Sequence, residues 1–143
     1  MRTRLIATPL AVAAVFALAL SASGCNKKVE ECNKLIQVMN SEGAKLSPKG
    51  SATDPSTMTK MGDDLDSAAK AIGAVDVSLP ELQKFRDDSK KLFTDVASAA
   101  RESGKALEGK DLAAATTALK KLTDSAQANT KLVNDINKFC QGQ

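Results

Sequence analysis

The stretch PELQKFRDDSKKLFTDVASAARESGKALE, residues 80–108, decides the fold. Its Leu82, Phe85, Ser89, Leu92, Val96, Ala99, Ser103 and Ala106 recur in steps that alternate three and four residues. That is the seam of a helix packed in a bundle. At about 1.5 Å per residue, such a helix is roughly 45 Å long. Pro80 is tolerated at the first helical position and disfavours helical torsions at Leu79. The cap is therefore either Ser78, which has the S-x-x-E spacing of a capping box with Glu81, or Leu79 itself. Gly109 is expected to end the helix as the left-handed residue just past it.

The same alternation runs outward in both directions. Asp111 is placed to cap a fourth helix reaching residue 139 or 140, with a seam of Leu112, Ala115, Leu119, Leu122, Ala126, Asn129, Val133, Ile136 and Cys140. Upstream, Asp54-Pro55 is a start signal for a second helix to about Gly73, with Met58, Met61, Leu65, Ala68 and Ile72 as its seam. A first helix over residues 26–46 has Val29, Cys32, Ile36, Met39, Gly43 and Leu46 on its seam, and Gly43 weakens its last turn. Residues 47–54 and 74–79 read as links. Short connections make neighbours antiparallel. The expected fold is all-α, an antiparallel up-down-up-down four-helix bundle with a longer C-terminal hairpin. Its tip, around Lys105, Glu108, Lys110 and Asp111, should project beyond the first pair.

Ahead of this lies a different kind of segment. Arg2 and Arg4 precede an apolar run over residues 5–20, broken by Thr8 and Pro9, and small residues follow it. That is the plan of a secretory signal peptide, and the run is shorter than the roughly 20 residues of a membrane-spanning helix. Ala22-Ser23-Gly24-Cys25 resembles the lipobox of bacterial lipoproteins, with Ala22 where that motif usually has leucine. The resemblance implies a signal over residues 1–24, an acylated Cys25 as the first residue of a domain over 25–143, and, from Asn26 in place of Asp, attachment to the outer membrane. Two or three acyl chains hold a protein stably on a bilayer, where one is marginal. The segments Leu79-Pro-Glu-Leu-Gln-Lys-Phe-Arg and Leu132-Val-Asn-Asp-Ile-Asn-Lys-Phe-Cys140 are similar to those of small uncharacterised lipoproteins of myxobacteria-type Gram-negative bacteria.

Three cysteines are an odd number for an exported chain. With Cys25 carrying lipid, Cys32 and Cys140 remain as one disulfide; without it, a thiol is left over. In an up-down bundle both fall at the same end and on their seams. That end, with the 74–79 link, would face the membrane.

Composition excludes much. His, Trp and Tyr are absent and Phe occurs four times, one of them Phe16 in the signal. Stacking platforms for bases are therefore missing, and removal of Arg2 and Arg4 leaves the domain near neutrality, so no nucleic-acid partner is expected. Without histidine, and with its cysteines spent on lipid and disulfide, the chain is not expected to be an enzyme. Asp63, Asp64 and Asp66, like Asp87 and Asp88, read as solvated faces, with Asp66–Lys70 and Asp87–Lys91 at ion-pair spacing. Lys84, Arg86, Lys90 and Lys91 are interleaved with acids and read the same way. Met39, Met58 and Met61 could present thioethers to Cu(I), but their seam positions make them core filler; no metal or cofactor is expected. Asn129 is expected to set helix register from inside the seam. The function expected is a non-enzymatic, lipid-anchored envelope protein acting in protein interaction or structure, with the hairpin tip as its candidate contact. A small-ligand or metal-binding periplasmic bundle and an inhibitor or immunity-type lipoprotein stay open as alternatives.

Overall fold

Aspartate and proline start the helices where the sequence places them. The computed structural model describes residues 23–46, 51 and 53–142, and contains helices α1 (Ser23–Lys45), α2 (Pro55–Gly73), α3 (Pro80–Glu108) and α4 (Leu112–Gln141). Most of the expected signal segment lies outside the described residues. So does the side chain of Cys25. Asp54 caps α2 by accepting from the backbone N–H groups of Ser56 and Thr57 and from both their hydroxyls. Asp111 caps α4 through the N–H of Ala114. No strand occurs among the described residues.

The turn between α3 and α4 corrects one expectation. Gly109 keeps right-handed torsions (φ −75°), and Lys110 takes the left-handed position (φ 54°). The Asp111 N–H donates to Ala106 O at 2.8 Å and the Lys110 N–H to Leu107 O at 3.1 Å. These are the two bonds of a Schellman ending in which Lys110 stands where glycine is usual. Asp111 closes α3 and caps α4 at once, which fixes the turn one residue later than Gly109 suggested.

Helix α3 is the axis of the molecule. On one face it meets α2, antiparallel and very close. A Cβ added at Gly104 would lie 2.9 Å from Pro55 O, and one at Gly62 would lie 2.9 Å from Ala97 O. Arg101 crosses this interface to Asp63 (2.9 Å) and Asp66 (2.6 Å). On another face α3 meets α4, also antiparallel, with Phe85 edge-on to Phe139 and Lys121 paired with Glu102 at 2.6 Å. Helices α2 and α4 make no close backbone approach to each other. The α3–α4 hairpin is the longer one. Because the start of α2 reaches Gly104, it clears α2 by about one turn.

Two apolar clusters fill the interior. At one end Cys32, Leu35, Ile72, Val75, Val77 and Leu82 are buried together. Towards the other, Met58, Leu65, Ala97 and Ala100 form the second, with Leu46, Leu107 and Leu122 packed on it. The link between α2 and α3 therefore closes the disulfide end, as expected.

The outer helices keep only part of their expected seams: Cys32, Ile36, Met39 and Leu46 of α1 and Ala115, Leu122, Ile136 and Cys140 of α4 turn inward as expected. In α1 Glu31, Cys32 and Leu35 are buried, while Val29 is 51% exposed and, among the described residues, no atom beyond the helix's own backbone lies within 4 Å of where a Gly43 Cβ would sit. In α4, Ala115, Ala118 and Ile136 are buried and Leu122, Ser125, Leu132 and Phe139 are half-buried, whereas Leu112 is 77%, Leu119 46% and Val133 36% exposed. Ala126 and Asn129 are exposed as well, so Asn129 does not set register from inside the seam. The reason lies in the neighbours. Helix α4 rests on α3 alone along most of its length, while α1 leans on α2 and meets α4 near the disulfide. One neighbour needs one ridge, and the small residues Ala115, Ala118 and Ser125 allow the closest approach to α3.

Candidate functional site

The disulfide end is the most constrained part of the chain. Cys32 and Cys140 are joined, with Cα atoms 5.8 Å apart, and tie α1 to α4. One residue earlier, Glu31 ties α1 to the start of α3. Its carboxylate accepts from the Leu79 N–H (3.0 Å), the Ser78 N–H (2.9 Å) and the Ser78 hydroxyl (2.7 Å). Leu79 is the N-cap residue of α3 and has no side-chain cap of its own. A glutamate from another helix supplies the negative charge that a helix N-terminus favours. The Leu79 N–H is the largest cause, with the Ser78 hydroxyl next, of a Glu31 pKa lowered to about 2. Lys28 lies over the Phe139 ring at 4.2 Å. Sequence reasoning missed Glu31 because its partners lie 47 and 48 residues away; its only local signal was a charge beside a seam cysteine.

Beside this end, α1 and α4 part. A cleft of about 250 Å³ opens between them, lined by Ile36, Met39, Asn40, Val133, Ile136 and Asn137. From the cleft a stripe continues along α4 through Thr130, Ala126, Thr123, Leu119, Thr116 and Leu112, all exposed. No residue of this stripe is charged. The hydroxyls of Thr116, Thr123 and Thr130 donate to the carbonyls of Leu112, Leu119 and Ala126 at 2.8, 3.1 and 3.0 Å. Such back-bonding satisfies the hydroxyl and leaves the methyl as the outward group. The stripe is thus more apolar than its composition suggests. Heptad spacing of Leu112, Leu119, Ala126 and Val133 was its signal in the sequence, read there as core.

The remaining candidates are placed as follows. Lys105, Glu108, Lys110 and Asp111 are exposed together at the hairpin tip, with Asp111 engaged as the cap. Met39 packs with the disulfide-end cluster, whereas Met58 and Met61 belong to the other, so the three thioethers are not brought together. No group of three or more His, Cys, Asp or Glu is placed to hold a metal among the described residues. The expected Asp66–Lys70 and Asp87–Lys91 pairs are not formed. Asp66 turns to Arg101, Asp87 to Arg86 and Lys91 to Asp95. The Arg86 guanidinium holds the Asp87 carboxyl below its ordinary range. Lys84 pairs with Asp88 and Lys131 with Asp135 on the walls of a second groove between α3 and α4. Its charges are compensated within their own helices. Comparison with protein-family models, curated proteins and solved structures returned no match.

Proposed function

We propose that this chain is a non-enzymatic envelope protein, anchored on the outer membrane by lipid at Cys25, whose bundle serves as a protein-interaction module. One observation carries the interaction reading: the uncharged, methyl-covered stripe from Leu112 to Asn137, left open along the whole of α4. An exposed apolar strip of this length is what helix-in-groove recognition uses. The hairpin tip at Lys105, Glu108 and Lys110 borders one end of it. Attachment through Cys25, seven residues before Cys32, would hold the disulfide end towards the membrane and present α4 along its length.

The test has two parts. Cys25→Ala should abolish incorporation of a labelled fatty acid into the protein, and undiminished labelling would refute the anchor. A photo-crosslinking residue at position 119 should give a discrete protein adduct in cells, and the same probe at Asp124, exposed but paired with Lys120, should not. Absence of any adduct at position 119 would refute the interaction reading.

A further inference from the structure

We infer that the partner covering this stripe is a second copy of the chain, its α4 lying antiparallel on the first across a twofold axis. The inference rests on the interaction reading above and names its occupant. A twofold interface must be self-complementary, and the α4 stripe has that property in size and in charge.

Take an axis crossing α4 between Asp124 and Ser125. Antiparallel pairing then sets Thr123 against Ala126, Leu119 against Thr130, Thr116 against Val133 and Leu112 against Asn137 of the other copy. Each branched apolar side chain meets a smaller or polar one, so knobs fall opposite holes. Leu112, the most exposed large apolar residue on α4 at 77%, arrives beside Val133, Ile136 and Asn137. That is the mouth of the 250 Å³ cleft between α1 and α4, whose opposite wall is Ile36, Met39 and Asn40. The knob and the hole lie at opposite ends of one face, and twofold pairing fills both clefts at once.

Charge agrees. The stripe carries none, so two copies meet without like-charge repulsion. The neighbouring Lys120 falls opposite Asn129. A lipid surface fits less well: interfacial helices insert Trp, Phe or Leu along a wholly apolar face, whereas this stripe interrupts Leu112, Leu119 and Val133 with threonine, alanine and asparagine and has no aromatic residue.

Size sets the strength. The stripe is about 38 Å long, and with a helix about 10 Å across it covers ~400 Å² per copy. The total of ~800 Å² falls short of the ~1,000 Å² of a stable interface and belongs with weak, transient ones. The pair is therefore expected to form at high local concentration, which anchoring on a membrane would supply.

Sedimentation velocity of the exported, otherwise intact Cys25→Ala chain tests this from micromolar to millimolar concentration. The expected mass rises from one chain to two and stops there. Leu119→Asp should remain a monomer throughout with an unchanged thermal melt, and Leu119→Ala should raise the dissociation constant at least tenfold. Orientation is read by a short bismaleimide. Thr123→Cys mixed with Ala126→Cys should crosslink efficiently, and Leu112→Cys alone should not. A monomer at every concentration, an assembly beyond two, or efficient Leu112→Cys self-crosslinking would each overturn the inference. A monomer whose position 119 still gives a heterologous adduct in cells overturns only the second copy. A monomer without any adduct overturns the interaction reading with it.

Discussion

Two glycine-to-alanine substitutions, one helix apart, should change stability in opposite directions. In an ordinary helix, alanine is favoured over glycine by about 0.5–1 kcal/mol because it loses less backbone entropy. At Gly43 nothing among the described residues opposes that gain: beyond the helix's own backbone, no atom of theirs lies within 4 Å of the added methyl. Gly43→Ala should therefore stabilise by ~0.5 kcal/mol, the smaller figure applying near a helix end. At Gly104 the methyl would sit 2.9 Å from Pro55 O, 3.1 Å from Thr59 Oγ1 and 3.3 Å from Met58 Cβ. The nearest of these is backbone and cannot rotate away. Helix α2 would have to retreat from α3, opening its other close approach at Gly62. Overpacking of this kind costs about 1–3 kcal/mol. Set against the propensity gain, Gly104→Ala should destabilise by ~1–2 kcal/mol, a fall of a few degrees in Tm. Urea unfolding followed by far-UV circular dichroism would read both variants, with the slope unchanged if only stability moves. If Gly104→Ala stabilises as much as Gly43→Ala, the close α2–α3 approach is wrong, and with it the antiparallel packing of α2 on α3.

Other outcomes follow from single features. Replacing Cys32 and Cys140 with serine opens a loop spanning 108 positions and should lower the unfolding free energy by about 5 kcal/mol in the chain-entropy model; an unchanged denaturation midpoint would contradict it. Lys110→Gly should stabilise by ~0.5–1 kcal/mol, because it relieves a left-handed lysine at φ 54°, and differential calorimetry would show it as a higher Tm. The Glu31 carboxyl has its pKa lowered from 4.5 to about 2 by the Leu79 and Ser78 donors. A group depressed on folding contributes stability that is full above its unfolded pKa and is lost as pH falls towards its folded one. Wild type should therefore lose more stability than Glu31→Gln between pH 4.5 and 2, and identical acid profiles would remove Glu31 from its capping role.

Local chemistry made much of the fold legible. Asp54-Pro55, Pro80 and Asp111 marked helix starts because capping involves only a few neighbouring residues. The seam of α2 was correct because Met58, Met61, Leu65 and Ile72 are the only large apolar residues on that helix and all fall on one face. The seam of α1 turns inward at Cys32, Ile36, Met39 and Leu46 and that of α4 at Ala115, Leu122, Ile136 and Cys140, but the rest of the α4 seam faces outward because that helix carries the three-four alternation in two registers. In α4 one register holds Leu112, Leu119 and Val133, the other Ala118, Ser125, Leu132 and Phe139. Hydrophobicity favours the first; close approach to a single neighbour favours the smaller residues of the second. Choosing between them requires knowing that α1 leaves α4 uncovered, which is a tertiary fact. Glu31 was hidden for the same reason, since its partners are brought to it only by the fold. Gly62 and Gly104 did carry a signal: glycine inside a strongly periodic helix marks a close backbone approach.

The register of α4 decides whether a stripe lies open, and thiol labelling reads that register. Single cysteines at Leu119, Ala126, Ala118 and Leu132 would be labelled with a maleimide in the purified native protein, at nanomolar concentration so that no dimer shields them. Peptide-resolved mass spectrometry would give each rate. Rates at positions 119 and 126 should be near those of the unfolded chain, and rates at 118 and 132 at least tenfold slower. Protection of position 119 equal to that of 118 would mean that α1 covers α4 after all, that the bundle is closed, and that no stripe is open to a partner.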